Sequence, residues 1–253
     1  MKKAACALLF FLASMPAWAD EHQADTTLFL QANQAYKSAD FAGAAALYEN
    51  LLAAGLRNGD LYYNLGNAYL KKGDLGRALV NFRQAEKFKP RDADLAANLH
   101  YALEQTRDKI DCSESASVWK AFFFWLPMLS CRELCWIFLG CNLMLWLFAA
   151  ARFILGRESF GLAVWVALFL TVLSGASFGM KYNQDAFVMR GVVVSREILV
   201  RAGNSQSDTV LFKLHEGTEF SIVDQESAWV KISLCDGKKG WAQKASIGIV
   251  PNA

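Results

Sequence analysis

Two apolar segments in the middle of the chain decide its fold: LCWIFLGCNLMLWLFAAA (residues 134–151) and FGLAVWVALFLTVLSGASFGM (residues 160–180). The hydrocarbon core of a bilayer is about 30 Å thick, so a helix needs roughly 20 apolar residues to cross it. A short polar stretch that contains Arg152 and Arg157 separates the two segments. The pattern predicts a transmembrane hairpin with helices over residues 134–153 and 160–180.

The N-terminus has the parts of an export signal. Two lysines precede an apolar stretch over residues 4–13, and the small residues Ala17 and Ala19 follow it. We predict a signal peptide over residues 1–19 that is cleaved after Ala19. The alternative is an uncleaved helix that anchors the N-terminus in the membrane.

The number of spans then predicts the topology. If the segment after Asp20 is exported, two crossings return the segment after Met180 to the same side. The turn between the spans faces the cytoplasm, where positive charge is enriched, and Arg152 and Arg157 agree with that orientation. Both soluble parts are therefore expected in one exported compartment.

Residues 20–110 are rich in Ala, Leu and Tyr and contain an internal repeat. In the clearer copy, small residues at Gly66 and Ala78 permit close approach of two helices, and the ring of Phe82 fills the space between units. Together with Pro90, this pattern resembles the tetratricopeptide repeat family.

The resemblance implies two helices in each repeat. We predict repeats over about residues 25–58 and 59–92, followed by a capping helix through about Arg107. Two repeats are fewer than the three that usually form a free-standing array. We therefore expect this domain to be stabilised by packing against another surface, such as the membrane, a second copy or a partner.

A linker over residues 111–133 contains the aromatic stretch WKAFFFWLP (residues 119–127). This stretch is too short to span a bilayer, and its aromatic content is typical of a segment in the headgroup layer. The alternative, that it extends the first span, is made costly by the charges of Arg132 and Glu133. Within the span, the polar Asn142 is expected to bond across the hairpin.

From about residue 190 the sequence changes to short β-branched runs separated by turn pairs such as Asp236-Gly237. Five or six short strands predict a small barrel over residues 190–253. The stretches LVRAG (199–203) and LHEGT (214–218) resemble a bacterial SH3-like domain. The predicted fold class is thus a multidomain membrane protein with all-α tetratricopeptide-repeat helices, a two-helix transmembrane hairpin and a small all-β SH3-like barrel.

The inventory of reactive side chains argues against catalysis. The chain has three histidines, and it contains no His-Glu-x-x-His pair, no phosphate-binding glycine loop and no Gly-x-Ser-x-Gly motif. Its net charge of +2 is spread along the sequence, without the basic cluster that a phosphate backbone would attract. We expect no enzyme activity, no cofactor, no metal and no nucleic-acid partner.

Four cysteines lie outside the signal peptide and the middle of the spans: Cys112, Cys131, Cys135 and Cys235. An exported compartment permits disulfides, but sequence alone leaves their connectivity open, including a bond between Cys112 and Cys235. Cys131 and Cys135 are one helical turn apart. Apolar packing is the ordinary interpretation of that pair, and thiol chemistry is the alternative.

Candidate binding residues recur in the two repeats. Asn33 and Asn67 occupy equivalent positions, and so do Lys37 and Lys71. In the tetratricopeptide family these positions line a concave groove, where an amide can hold an extended backbone and a lysine can meet a carboxylate. The alternative is that all four residues form a solvated helical face.

In the barrel, the resemblance implies a surface cleft for peptide or peptidoglycan ligands. Arg201 and Trp241 are the candidate binding residues, with Tyr182 as a further candidate. Trp229 is assigned to the barrel core.

The order of these parts resembles the BatE-like proteins of bacterial aerotolerance operons. The resemblance implies a bacterial inner-membrane protein whose two soluble domains are periplasmic. It also implies partners, namely Bat proteins with von Willebrand A domains and a MoxR-type ATPase, and a role in envelope or oxidative stress tolerance. The expected function is a non-catalytic scaffold that binds proteins; the alternatives are a peptidoglycan-binding envelope sensor and a thiol-handling enzyme.

Overall fold

The computed structural model describes residues 15–110, 123–156, 158, 160–187 and 189–250. The N-terminal domain consists of α1 (Met15–Lys37), α2 (Phe41–Ala53), α3 (Gly59–Lys72), α4 (Leu75–Phe88) and α5 (Ala93–Glu104). These helices form two helix pairs and a closing helix, which ends slightly before the predicted Arg107.

Two predicted segments lie partly outside the described residues. Residues 1–14 of the predicted signal peptide are outside the described residues. Ala19, the predicted cleavage point, falls within α1. Residues 111–122 of the predicted linker also lie outside. Cleavage after Ala19 therefore stays a prediction.

Short polar residues set the starts of the helices. Asp40, Asn58, Asp74 and Asp92 each accept a hydrogen bond from the backbone N–H three residues later. Each bond satisfies a donor that the first helical turn leaves without an intrahelical partner. At the other end of α3, Gly73 has a φ of 84°, a left-handed conformation that glycine adopts without strain. These boundaries are thus encoded locally.

In the core of the helical domain, Gly66 packs directly against the ring of Phe82. Tyr48, Leu65 and Phe82 are each at most 1% exposed. A Cβ atom on Gly66 would lie 2.6 Å from the ring of Phe82, which is closer than real Cβ atoms approach. Gly66 therefore lets α3 and α4 pack closely, as the repeat pattern predicts.

Two helices, α6 (Cys131–Leu155) and α7 (Phe160–Phe187), are long and apolar enough to span a membrane. Their most apolar windows have mean hydropathies of 2.0 and 1.9, and only 6% and 17% of these windows is buried. The core helix of a soluble protein would be mostly buried. The two helices pack on each other and present the rest of their apolar surface outward.

Both helices extend beyond the predicted spans 134–153 and 160–180. The first helix begins earlier because Ser130 and Glu133 form a capping box, in which each side chain accepts a backbone N–H of the other residue. The second continues to Phe187 because neither glycine nor proline interrupts the polar residues that follow the span.

The aromatic segment before α6 packs on the hairpin. Trp125 Nε1 donates a hydrogen bond to Ser177 Oγ of α7 at 3.2 Å, and the neighbouring Leu126 is buried. At the same end of the hairpin, Arg91 forms an ion pair with Glu133. The turn between α4 and α5 therefore lies beside the start of α6.

The C-terminal domain is an antiparallel seven-stranded sheet with the order β3-β2-β6-β5-β4-β1-β7. Its strands are β1 (Arg190–Val193), β2 (Glu197–Arg201), β3 (Val210–His215), β4 (Glu219–Glu226), β5 (Trp229–Ser233), β6 (Lys239–Gln243) and β7 (Ile247–Val250). Val200, Val230, Ile232 and Ala242 are fully buried at its centre. The sheet has more than the five or six predicted strands, because short β7 is stabilised by pairing with β1.

Candidate functional site

The barrel is joined to the helical domain through the turn between β3 and β4. Glu219 receives two hydrogen bonds from Arg83 of α4, at 2.6 Å from Nε and 2.8 Å from Nη2. Glu216 Oε1 accepts from the backbone N–H of Gly76 at 3.0 Å, where the helix dipole favours negative charge. Burial lowers the pKa of Arg83, but the bonds and charges of Glu219 and Glu86 outweigh burial and raise it above its ordinary value.

A second contact comes from the segment that follows α5. One oxygen of Asp108 accepts hydrogen bonds from the His215 backbone N–H and from Thr218 Oγ1, each at 2.7 Å. The other oxygen lies 2.8 Å from His215 Nδ1. Burial raises the pKa of Asp108, but these hydrogen bonds outweigh burial and hold the pKa below its usual range. The carboxylate thus joins the helical domain to the β3–β4 turn.

Two glycines let the domains approach closely. A Cβ atom on Gly76 would lie 2.5 Å from the carbonyl oxygen of Val193, and one on Gly217 would lie 2.7 Å from the methyl group of Thr106. The barrel is therefore seated on α4 and on the segment after α5.

Asparagines bridge the first helices of successive repeats in two pairs. Asn64 Nδ2 of α3 donates to Asn33 Oδ1 of α1 at 3.3 Å, and Asn98 Nδ2 of α5 donates to Asn67 Oδ1 of α3 at 2.8 Å. The Tyr48 hydroxyl also donates to Asn33 Oδ1, at 2.6 Å. We call these four asparagines the asparagine pairs.

Each pair leaves an amide group available for a ligand. The carbonyl oxygens of Asn33 and Asn67 accept hydrogen bonds within the pairs. In the part of the chain that the structure describes, their Nδ2 groups donate none. A carboxamide N–H matches the backbone carbonyl oxygens of an extended peptide.

Three of these four asparagines, all except Asn98, line a groove made of two adjoining crevices. The smaller, of about 140 Å³, is lined by Asn33, Tyr36, Lys37, Tyr48, Asn64 and Asn67. The larger, of about 470 Å³, shares Asn64 and is lined also by Asp25, Phe29, Leu56 and Asp60. The groove therefore carries a lysine beside the amides of Asn33 and Asn67 in one part and aspartates in the other, and Asn64 belongs to both parts.

The structure brings three of the four predicted groove residues together. Asn33, Lys37 and Asn67 line the smaller crevice, whereas Lys71 is exposed at the end of α3 and lines neither crevice. Asn64 and Asn98 were not among the residues predicted from the sequence, although they recur with the same spacing as Asn33 and Asn67. That spacing was the signal that could have identified them.

A buried hydroxyl orients the first pair. Burial, with a smaller contribution from Tyr36, raises the pKa of Tyr48 to about 12. The Tyr48 hydroxyl therefore keeps its proton at neutral pH and acts as a donor toward Asn33. This bond holds the Asn33 Oδ1 atom toward Tyr48, so Nδ2 remains available to donate to a ligand.

On the barrel, Arg201 of β2 and Lys231 of β5 both oppose Trp241 of β6. Lys231 Nζ lies 5.8 Å from the centroid of the Trp241 ring, within cation–π range. Arg201 Nη1 donates to the carbonyl oxygen of Asp208 at 2.7 Å. We call Arg201, Trp241 and Lys231 the cationic row. Lys231 was not predicted from the sequence, because it reaches the Trp241 ring only through the pairing of β5 with β6.

Two aromatic residues differ from the sequence expectation. Trp229, which was assigned to the core, is only half-buried on β5. Tyr182 belongs to α7, where it is 52% exposed and its ring centroid lies 6.0 Å from that of Phe178. Tyr182 is therefore a residue of the apolar helix and not of the barrel.

One of the described cysteines, Cys235, forms a disulfide bond. Cys112, one of the partners that the sequence left open for it, lies outside the described residues. Cys135 and Cys141 are free thiols, so Cys131 and Cys135 are not bonded to each other. Among the described residues, no three His, Cys, Asp or Glu side chains form a group that could hold a metal ion.

Comparison with known families supports two parts of this architecture. Residues 199–248 match the bacterial SH3 domain family, and residues 66–106 match the TPR repeat family. No curated protein matches the chain. The predicted fold class is thus confirmed: the chain combines tetratricopeptide-repeat helices, two apolar helices long enough to span a membrane, and a bacterial SH3-like barrel.

Proposed function

We propose that this protein is a non-catalytic membrane scaffold that holds a segment of a partner protein in the groove of its helical domain. The observation that carries the proposal is the amide groups of Asn33 and Asn67, which recur in register with unused donors beside a crevice. An extended segment offers backbone carbonyl oxygens as acceptors for such donors. The match to the TPR repeat family supports protein binding.

The barrel leaves this groove accessible. Its contacts with the helical domain are made by α4 and by the segment around Asp108. The two crevices are lined by residues of α1, α2, α3 and the turn before α3. A partner segment can therefore enter the groove while the barrel stays seated.

The scaffold is placed in the membrane by α6 and α7. A helix of 25 residues is about 37 Å long, which exceeds the roughly 30 Å of hydrocarbon that it must cross. The small buried share of both helices supports lipid as their surroundings. With two spans, both soluble domains lie on one side, which we propose to be the periplasm because of the export signal and Arg152.

Reporter fusions test this topology. Alkaline phosphatase fused after the C-terminus of the full chain is expected to be active, and green fluorescent protein at the same position is expected to be dark. The opposite result contradicts the periplasmic placement.

The groove is tested by removing both amides. Full-length protein with Asn33→Ala and Asn67→Ala is expected to bind the partner from detergent-solubilised membranes about 30-fold more weakly, since each of the two lost hydrogen bonds contributes about 1 kcal/mol. The matched control, Gln34→Ala with Gln105→Ala, removes two exposed carboxamides that line neither crevice. Equal recovery by the asparagine variant and the control contradicts binding in the groove.

The order of parts supports a finer proposal, that the protein acts as a BatE-like component. Its partners would be Bat proteins with von Willebrand A domains and a MoxR-type ATPase, in envelope or oxidative stress tolerance. Crosslinking in native membranes and mass spectrometry of the recovered proteins is expected to identify both. Recovery of other proteins only contradicts this assignment and leaves groove binding in place.

A second candidate function is that of a peptidoglycan-binding sensor. The cationic row favours it, because an aromatic ring between two cations suits a glycan or peptide that carries carboxylates. Full-length protein in detergent is expected to pellet with murein sacculi, and Trp241→Ala is expected to weaken this. Lys239→Ala, at an exposed position of β6, serves as the control. Absence of native protein from the pellet contradicts this function.

Thiol chemistry is not part of the proposed function. Replacing both Cys131 and Cys135 by serine is expected to leave partner recovery unchanged. Loss of recovery with normal protein levels would favour the thiol-handling alternative instead.

A further inference from the structure

Asn142 places a carboxamide almost at the middle of α6, among apolar residues. The helix runs from Cys131 to Leu155, so its midpoint is Leu143. The Asn142 side chain is half-buried, and within the described part of the chain it makes no hydrogen bond. It therefore does not form the bond across the hairpin that the sequence suggested.

Hydroxyl side chains in α7 are satisfied within their own helix. Thr171, Ser174 and Ser177 donate to the carbonyl oxygens four residues earlier at 2.8, 2.7 and 2.9 Å. A hydroxyl has one proton to place, whereas a carboxamide has two N–H donors and a carbonyl acceptor. No water is present in the hydrocarbon core to bond these groups, so an unsatisfied amide there is strongly unfavourable.

Asn142 belongs to a stripe beside the face of α6 that packs on α7. Alternating steps of four and three residues define the stripe, which consists of Cys135, Leu139, Asn142, Trp146 and Ala149. Leu139 is 48% exposed and Trp146 is 67% exposed. By contrast, Leu134 is 2% exposed, and Phe138 stacks on Phe178 of α7 with their ring centroids 6.5 Å apart. The stripe is thus accessible to another helix.

We propose that this stripe binds the same stripe of a second copy of the chain, with the two Asn142 side chains hydrogen-bonded to each other. Carboxamides have complementary partial charges: one N–H of each copy meets the carbonyl oxygen of the other, so a two-fold axis pairs one donor and the acceptor of each side chain. A second copy inserts in the same direction, which brings its Asn142 to the same depth. Steps of four and three residues are the spacing of helices that cross at about 20°.

The dimer has a consequence for the helical domain. Two copies related by a two-fold axis perpendicular to the membrane plane present two grooves on the same side of the bilayer. Paired grooves bind a partner with two segments more tightly than one groove does, since the second contact becomes intramolecular. The inference rests on the membrane insertion proposed above.

The test uses the full chain reconstituted in lipid vesicles, with separate populations that carry donor and acceptor fluorophores at the C-terminus. Flotation of the vesicles is measured first, and energy transfer is then followed as lipid is added. A chain that does not float contradicts both the membrane placement and the dimer. A chain that floats and shows no transfer at any protein-to-lipid ratio overturns the dimer alone.

Native protein is expected to show energy transfer that decreases with lipid dilution. Asn142→Leu is expected to weaken association by about tenfold, which is the range of an interhelical hydrogen bond in a bilayer. Asn142→Gln, which retains the carboxamide, is expected to restore most of the transfer. The control, Met144→Leu, alters an exposed residue two positions along, on the opposite side of α6. Equal transfer in native protein and Asn142→Leu, or an equal loss in Met144→Leu, overturns the proposal.

Discussion

The two faces of the helical domain are built from different polar chemistry. On the face that carries the barrel, Arg83 and Glu219 neutralise each other at short distance, and Asp108 accepts three hydrogen bonds from the β3–β4 turn. On the groove face, Asn33 and Asn67 have neutral amides that accept hydrogen bonds through Oδ1, and among the described residues their Nδ2 groups donate none. Charged groups therefore hold the two domains together, while neutral groups remain available for a ligand.

The largest effect is expected where the domains touch through backbone atoms. Gly76→Ala would place a methyl group 2.5 Å from the Val193 carbonyl oxygen and 2.6 Å from the Cα atom of Val194. Because the backbone of the barrel must shift, the interdomain contact should lose about 3 kcal/mol. Faster amide hydrogen exchange in β1 and α4 is the measurement. The control is Gly140→Ala, because a Cβ atom there has nothing within 4 Å. Equal hydrogen exchange in the two variants contradicts the prediction, because it would mean that α4 and β1 pack less closely than the structure shows.

The next largest effect is expected at Asp108. Its pKa is lowered in the folded state, so the ionised carboxylate adds stability above the ordinary value of 3.8, and this stability is lost as the pH falls through the lowered pKa. Asp108→Asn should cost about 2 kcal/mol at neutral pH, because hydrogen bonds to a charged group are weakened. Thermal unfolding of the full chain between pH 7 and pH 3 measures both effects.

The variant provides the contrast for this titration. With no carboxylate at this position, Asp108→Asn should lose less of its remaining stability below about pH 4 than the native chain does. An identical acid dependence in the two proteins is inconsistent with a role for Asp108 in the titration.

A smaller effect is expected on the groove face. Tyr48→Phe removes the hydroxyl that donates to Asn33 at 2.6 Å and should destabilise the protein by about 1 kcal/mol, the usual contribution of a neutral hydrogen bond. Urea unfolding of the full chain in detergent is the measurement. The control is Tyr101→Phe, because Tyr101 is 58% exposed. If Tyr48→Phe costs as much as Gly76→Ala, the contrast between the two faces does not hold.

The smallest effect is expected on the outer face of the barrel. Lys231→Met keeps the apolar stem of the side chain and removes the charge that lies 5.8 Å from the Trp241 ring. The expected loss of stability is about 0.5 kcal/mol, typical of a cation–π contact open to solvent. Thermal unfolding checks it, with Lys239→Met as the control. A loss above about 2 kcal/mol would assign the cationic row to structural support.

Several features of the fold could be predicted because they depend on neighbouring residues. The two apolar helices follow from uninterrupted hydrophobic runs, and the helix starts follow from caps such as Asp74. The repeat period placed Asn33 and Asn67 on equivalent helices. Lys71 lines neither of the two crevices, because spacing places a residue on a helix but does not say where a groove ends, and its role in binding stays a prediction.

Sequence by itself therefore determined the helical repeats, the apolar hairpin and the strand-rich barrel, since backbone hydrogen bonds and hydrophobic periodicity act over a few residues. Only the tertiary structure decided how these parts meet. Arg83 and Glu219 are 136 residues apart, and the Asn64 and Lys231 contacts also depend on packing between separate elements. Such contacts form when folded surfaces match in shape and charge, and no local pattern along the chain records that match.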